Sequence, residues 1–213
     1  MKRRLLLCGA VLSLLLTQCT KDPIKNLTNE ESRIYITNYD TTAVFSNYKT
    51  FKLADSVAYV QNNQLQGKSL SSGDAQMVSA VRDALTSRGF TPVSGSATPD
   101  LGITVSVITN TSTQLVDYTN YGGYYGGYWD PYYWGSGYFD DPYYFPSYYG
   151  VQQTGETALS IDIIDLKNAA QNGNKLNVVW SGLIRGAGIF SSSTINNQIA
   201  ALFAQSPYLK TIQ

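Results

Sequence analysis

Two periods of apolar residues run along this chain and divide it into helices and strands. In "DAQMVSAVRDALTSRGF", Asp74–Phe90, the residues Met77, Val78, Val81, Ala84 and Leu85 recur at three- and four-residue spacing, the repeat that lines one side of an α-helix. Ser72 or Asp74 offers the first free amides a partner, and Gly89 supplies the left-handed residue that commonly ends a helix. "SSSTINNQIAALFAQSP", Ser191–Pro207, repeats the helical pattern with Ile195, Ile199, Leu202 and Phe203; its serines offer an N-cap and Pro207 stops it.

The second period is two. "DLGITVSVIT" puts Leu101, Ile103, Val105 and Val107 on one face and Gly102, Thr104 and Ser106 on the other. "ETALSIDIIDLKN" alternates likewise through Leu159, Ile161 and Ile163, and "KLNVVWSGLIRG" places Leu176, Val178, Trp180 and Ile184 together. Strands with one polar face predict a sheet covered on one side only. The turn-like "NAAQNGN" joins the last two as a hairpin. "IYITNYDTTAVFSNYKTFKLA", Ile34–Ala54, is rich in β-branched and aromatic residues and reads as one or two strands, followed by the polar loop "QNNQLQGKSLSSG". A short strand is expected near Thr91–Val93. The pattern predicts an α+β two-layer sandwich: a mixed, mostly antiparallel sheet with two helices on one face and a long Tyr/Gly-rich hairpin insert.

Several of these pieces, taken in order, resemble the domain of unknown function 4136 family of bacterial lipoproteins. They are "YKTF" after an early strand, "ALTSRGF" closing the first helix, "PDLGITVSV", a glycine- and tyrosine-rich insert, "LSIDIIDLKN" with "LNVVWSGLIRG", and a terminal helix ending near a proline. The resemblance spans about residues 40–208. It implies an envelope lipoprotein with an α+β sandwich, and brings with it no established activity and no catalytic residue. The insert is richer in tyrosine and aspartate than the family's usual Gly-Tyr pattern.

The N-terminus adds an address. Lys2, Arg3 and Arg4 precede a short apolar run, Leu5–Leu16, too short for the roughly 20 residues of a bilayer span, so residues 1–18 read as a signal peptide. "LTQC", Leu16–Cys19, resembles a bacterial lipobox, with Gln18 departing from the usual small residue; Cys19 is the expected lipidation site, palmitate included. Cys8 leaves with the signal, so the mature chain keeps one cysteine with no disulfide partner, as a lipid-bearing thiol requires. Residues 19–34 read as a tether and 35–213 as a single domain. Localisation is expected at the outer membrane, with "TKDP" after Cys19 leaving the leaflet open.

Charge and composition narrow the chemistry. Removing the signal leaves twelve basic against fifteen acidic residues, a net charge of −3, with no basic stripe to attract nucleic acid. The chain has no histidine, which removes Ser-His-Asp and Cys-His nucleophilic catalysis and the commonest general base. No phosphate-cradling loop or dinucleotide fingerprint is present, and no cofactor or metal is expected. Asp162 and Asp165, three apart on one strand, face opposite sides and cannot pair as acid and base. The reading is non-enzymatic.

The remaining candidate is the stretch Tyr118–Gly150. Twelve of the seventeen tyrosines lie there, with seven glycines and three prolines interrupting any regular element. Tyr128, Trp129, Tyr132, Tyr133, Trp134, Tyr138, Tyr143 and Tyr144 are the candidate contact residues. Three readings stay open: rings packed on the sheet and on one another, a surface for an envelope protein partner, and a glycan site with Asp130, Asp140 and Asp141 as hydroxyl acceptors. The same three aspartates suit calcium or, more simply, Asp-Pro turns. An interaction or assembly role at the outer membrane is the expected function, with glycan or cell-wall binding through the insert as the alternative.

Overall fold

The computed structural model describes residues 27–62, 64–95, 97–110, 115–117, 149–151, 156–169 and 176–211. Residues 1–32 and 33–213 form separate compact units. Within the first, Thr28 and Glu31 close a turn: the Glu31 carboxylate accepts from both the Thr28 amide and its hydroxyl at 2.9 Å. No helix among the described residues is long and apolar enough to cross a membrane.

In the second unit the chain runs β1 (Ile34–Tyr39), a 3-10 turn (Phe45–Asn47), β2 (Thr50–Leu53), β3 (Val57–Gln61), β4 (Gln64–Ser69) and α1 (Ser72–Thr86). It continues through β5 (Thr91–Pro92), β6 (Leu101–Asn110), β7 (Leu115–Asp117), β8 (Tyr149–Val151), β9 (Glu156–Asp165), β10 (Asn177–Arg185) and α2 (Ile195–Ala204). Among the described residues, eight strands make one mixed sheet in the order β1-β10-β9-β6-β2-β5, with the β3–β4 hairpin on β6 beside β2; β7 and β8 pair separately. The β1–β10, β10–β9, β9–β6 and β3–β4 pairs are antiparallel; β2 and β3 run parallel to β6. This is the α+β sandwich the periodicity predicts.

Both helices bury their stripes in one core. Val78, Val81 and Leu85 of α1 and Ile199, Leu202 and Phe203 of α2 join Leu101, Ile103, Ile161, Ile163 and Trp180 from the sheet. Trp180 is fully buried, stacks on Phe203 with centroids 5.0 Å apart, and donates its indole N–H to Ser206 Oγ at 2.8 Å. Gly182 leaves the space this tryptophan fills.

Four local expectations are revised. The α1 cap is Ser71, one residue earlier than expected: its hydroxyl accepts from the Asp74 amide while the Asp74 carboxylate accepts from the Ser71 amide, a reciprocal capping box. At α2 the cap is Thr194, and the serines bond each other instead, Ser191 to Ser193 at 2.9 Å. The polar "QNNQLQGKSLSSG" is not all loop, because Gln64–Ser69 pairs with Val57–Gln61 as a hairpin; β4 lies at a solvated edge, where apolar alternation has no work to do. In β10 a bulge between Val178 and Trp180 breaks the expected common face. Val178 pairs with Ile164, Trp180 pairs with Ile163, and Val179 joins Trp180 in the core cluster.

The expectation of a sheet open on its second face also changes at the centre. Gly102, Thr104, Ser106 and Ser160 are buried as well as their apolar neighbours. β6 lies between β9 on one side and β2 and β3 on the other, so its short side chains are hemmed by cross-strand neighbours on both flanks. β2 and β3 act as one interrupted strand along β6. Leu53 registers with Ile103 but Ala58 with Ser106, so the edge takes up two extra residues around Asp55–Ser56.

Candidate functional site

The sheet end where β2 and β6 begin and β9 stops gathers a dense group of side-chain hydrogen bonds that cross the fold. Asp100, just before β6, accepts at Oδ2 from the Lys49 amide (2.6 Å) and the Thr50 amide (3.2 Å), and its own amide donates to Thr50 Oγ1 (2.9 Å). Its carbonyl accepts from the Leu166 and Lys167 amides, both at 3.0 Å. Three segments distant in sequence are thereby tied at one aspartate.

Beside it lies a second knot. Asp165, the last residue of β9, is buried and accepts the Tyr48 hydroxyl at 2.9 Å, the Asn168 amide at 2.9 Å and Asn168 Nδ2 at 2.7 Å. Burial first, and then the charge and hydrogen bond of Asp165, hold the Tyr48 phenol well above its ordinary pKa. It stays a proton donor at any physiological pH. Lys167 reaches the other way, donating to the Asn47 carbonyl at 2.7 Å with Asp100 Oδ1 at 3.8 Å. These groups floor a cleft of about 500 Å³ whose walls include Asp40, Thr42, Asn47 and Asn177. Its donors and acceptors can hold a polar, hydroxyl-bearing molecule through hydrogen bonds.

Tyr48→Phe is expected to reduce stability by about 1 kcal/mol, the usual worth of one such bond, because Asp165 keeps both donors from Asn168. Urea unfolding checks this, and a loss of several kcal/mol would mean that Asp165 cannot tolerate losing the phenol.

A second cavity, about 470 Å³, opens where α1 begins, between Tyr59, Met77, Val107, Phe190 and Ile195. At its edge Tyr59 donates to Asp74 Oδ1 at 2.7 Å. Burial pushes the Tyr59 phenol up to about 12, helped by that bond. Burial works against the Asp74 charge, but the bonds from Tyr59, Ser71 and Ser69 outweigh it and lower its pKa. The carboxylate is therefore spent on capping the helix.

On the opposite face Asp162 registers with Thr104 on β6 and Ser181 on β10, and accepts from Ser160 Oγ at 3.1 Å. Burial raises its pKa to about 7, only partly opposed by the Ser160 bond. Thr104 Oγ1 and Ser106 Oγ nearby are buried with no hydrogen-bond partner among the described residues. Asp162 and Asp165 do face opposite sides, as their spacing predicts.

The aromatic candidates Tyr128, Trp129, Tyr132, Tyr133, Trp134, Tyr138, Tyr143 and Tyr144, the aspartates 130, 140 and 141, and Cys19 all lie outside the described residues. What is described is their frame: Asp117 registers with Tyr149 and Leu115 with Val151, so β7 and β8 run antiparallel. Among the described residues no three Cys, Asp, Glu or His converge to hold a metal ion. Sequence reasoning missed the Tyr48–Asp165–Asn168 and Asp100 clusters. Their signal lay in motifs already singled out, since "YKTF", "PDLGITVSV" and "LSIDIIDLKN" each contribute a member.

The family model for Domain of unknown function (DUF4136) matches residues 36–208. A crystal structure of a protein of that family from Bacteroides thetaiotaomicron VPI-5482 has a TM-score of 0.67 at 27% identity, covering 85% of this chain and 99% of its own. A PelC dodecamer structure from Paraburkholderia phytofirmans aligns at 12% identity and a TM-score of 0.39, covering 85% of this chain and 99% of that one. A PDZ domain protein from Parabacteroides distasonis aligns at 14% identity and 0.39, covering 84% and 37%. No curated protein matches. With the family model matching residues 36–208, well over half of its length, the chain belongs to the domain of unknown function 4136 family.

Proposed function

We propose that this protein is a non-enzymatic, lipid-anchored envelope protein with an interaction or assembly role at the outer membrane. The observation that supports the interaction role is a pair of large apolar side chains on one face of the edge strand β1: Ile34 and Ile36 are 44% and 42% exposed. Such clustering marks contact surfaces more often than chance exposure does. The anchoring half of the reading draws on the domain boundary. The family match begins at residue 36, just after the stretch 19–34 that the sequence reads as a tether following the lipobox cysteine. The aromatic stretch 118–150 is the second contact surface in this reading.

In-cell photo-crosslinking from Tyr133, followed by mass spectrometry of the adducts, tests it. A discrete protein adduct from a folded, anchored chain is the expected result. Absence of any adduct from Tyr133, and from Ile34 probed in parallel, would overturn the interaction role. A second reading, binding of cell-wall or extracellular glycan, draws on the polar cleft of about 500 Å³ beside Asn177 and Lys167. Retention of the protein on a polysaccharide matrix, lost in Asn177→Ala, is its expected signature.

A further inference from the structure

Among the described residues the sheet has three strands with a free side, and they are not alike. β4 carries Lys68 and Gly67 and an irregular register against β3, and β5 is two residues ending at Pro92. Charges, prolines, short length and bulges are the means by which edges resist pairing with other chains. β1, "IYITNY", is six residues long with no charge, no proline and no bulge against β10.

Its outward hydrogen-bonding groups can be assigned. The Asp40 amide donates to the Val179 carbonyl at 3.0 Å, which continues the β1–β10 register and makes Asn38–Ser181, Ile36–Leu183 and Ile34–Arg185 the hydrogen-bonded pairs. The backbone groups of Tyr35, Thr37 and Tyr39 therefore point away from the sheet. The Tyr39 amide is already taken by Asn38 Oδ1 at 3.0 Å. Tyr35 and Thr37 are left to offer two N–H and two C=O groups on the open edge.

We infer that β1 pairs with β1 of a second copy of this chain, antiparallel and centred on Ile36, so that Tyr35 and Thr37 of each copy exchange backbone hydrogen bonds. This inference rests on the interaction role proposed above and names its partner. The strand is complementary to itself in this register. Ile36 meets Ile36, Ile34 meets Asn38, and no like charges oppose. Arg33 before the strand falls opposite the partner's Tyr39 at both ends of the ladder and keeps its own bonds to the Ala187 and Gly188 carbonyls, so the flanks bring no charges of one sign together. The Ile36 side chains, each 42% exposed, cover one another at the two-fold axis. A ladder this short buries less than the roughly 1,200 Å² of a stable complex. Pairing therefore depends on the local concentration that a shared membrane surface supplies.

The register makes the test specific. Residues facing each other at a non-hydrogen-bonded antiparallel position have Cα atoms about 4.5 Å apart, within the roughly 4.4–6.8 Å span of a disulfide. Ile36→Cys in the full, membrane-anchored chain should give a disulfide-linked dimer on mild oxidation with diamide, well above the wild-type level. Asn38→Cys should not, because its two copies lie about 13 Å apart along the ladder. Adding Thr37→Pro to Ile36→Cys removes an outward N–H while sparing the bonds to β10. It should reduce the dimer at least tenfold with the thermal midpoint of the domain little changed. Equal cross-linking from positions 36 and 38, or none from 36, would overturn self-pairing. Adducts to another protein from Tyr133 or Ile34, with no disulfide-linked dimer from the Ile36→Cys variant, would do so too while leaving the interaction role standing.

Discussion

Replacing Gly182 by alanine should lower the unfolding free energy by about 3 kcal/mol, the upper part of the range for overpacked cores. A Cβ built on Gly182 meets Trp180 Cη2 at 2.5 Å and Leu202 Cδ2 at 2.6 Å, with Leu202 Cγ at 3.1 Å. Neither neighbour has room to withdraw. Trp180 is fully buried, stacked on Phe203 and tied to Ser206, and Leu202 is fully buried on α2. The methyl group must therefore push α2 away from the sheet or tilt the indole out of its hydrogen bond. Gly67→Ala is the control, since a Cβ there meets nothing within 4 Å, and it should fall within about 0.5 kcal/mol of wild type. Urea midpoints with unchanged slopes read both. Equal midpoints for the two variants would mean that the α2 packing yields far more easily than its burial indicates.

The second large effect belongs to Asp162. Its pKa rises from the ordinary value of 3.8 to about 7 in the fold, because burial penalises the charged form. The folded state therefore holds a proton that the unfolded state has released, between about pH 4 and pH 7. Linkage then gives stability that is greatest below about pH 4, falls as pH rises through about 7, and is flat beyond. A shift of about three units corresponds to about 4 kcal/mol; partial solvent screening of this partly buried side chain brings the expected change to about 2 kcal/mol. Asp162→Asn should abolish the slope and stabilise the protein at about pH 8 by about that amount. Thermal melts across about pH 4–8 decide it, and a wild-type profile that rises over this interval would contradict the assignment.

What the sequence disclosed followed burial. The stripes of α1 and α2 and the alternations of β6 and β9 were legible because one flank of each packs on a common core, so period and face coincide. β4 was illegible for the converse reason: "QLQGKS" pairs through its backbone and leaves its side chains in water, so pairing left no apolar trace. The Val179 bulge inverts the face of Val178 relative to Trp180, and strict alternation has no way to announce an extra residue. The Tyr48–Asp165–Asn168 knot was hidden by distance along the chain, since only the parallel placement of β2 beside β6 and the return of β9 bring its members within hydrogen-bonding reach. Asp162 was legible as to its face, while its protonation left no mark on the sequence. That depends on how deeply the second face is buried, and alternation alone predicted an open one.

The pairing of β1 with β10 has a kinetic consequence. Ile34 registers with Arg185, so the first strand to leave the ribosome finds its partner only when nearly the whole domain has been made. Closing so long a loop is entropically slow, and contacts of this separation come late in folding. Until then both backbone edges of "IYITNY" stand open, on a segment with no charge to discourage association. The most vulnerable interval in the life of this chain therefore precedes completion of β10, and the handling a nascent polypeptide receives in that window decides whether the strand docks at home or elsewhere.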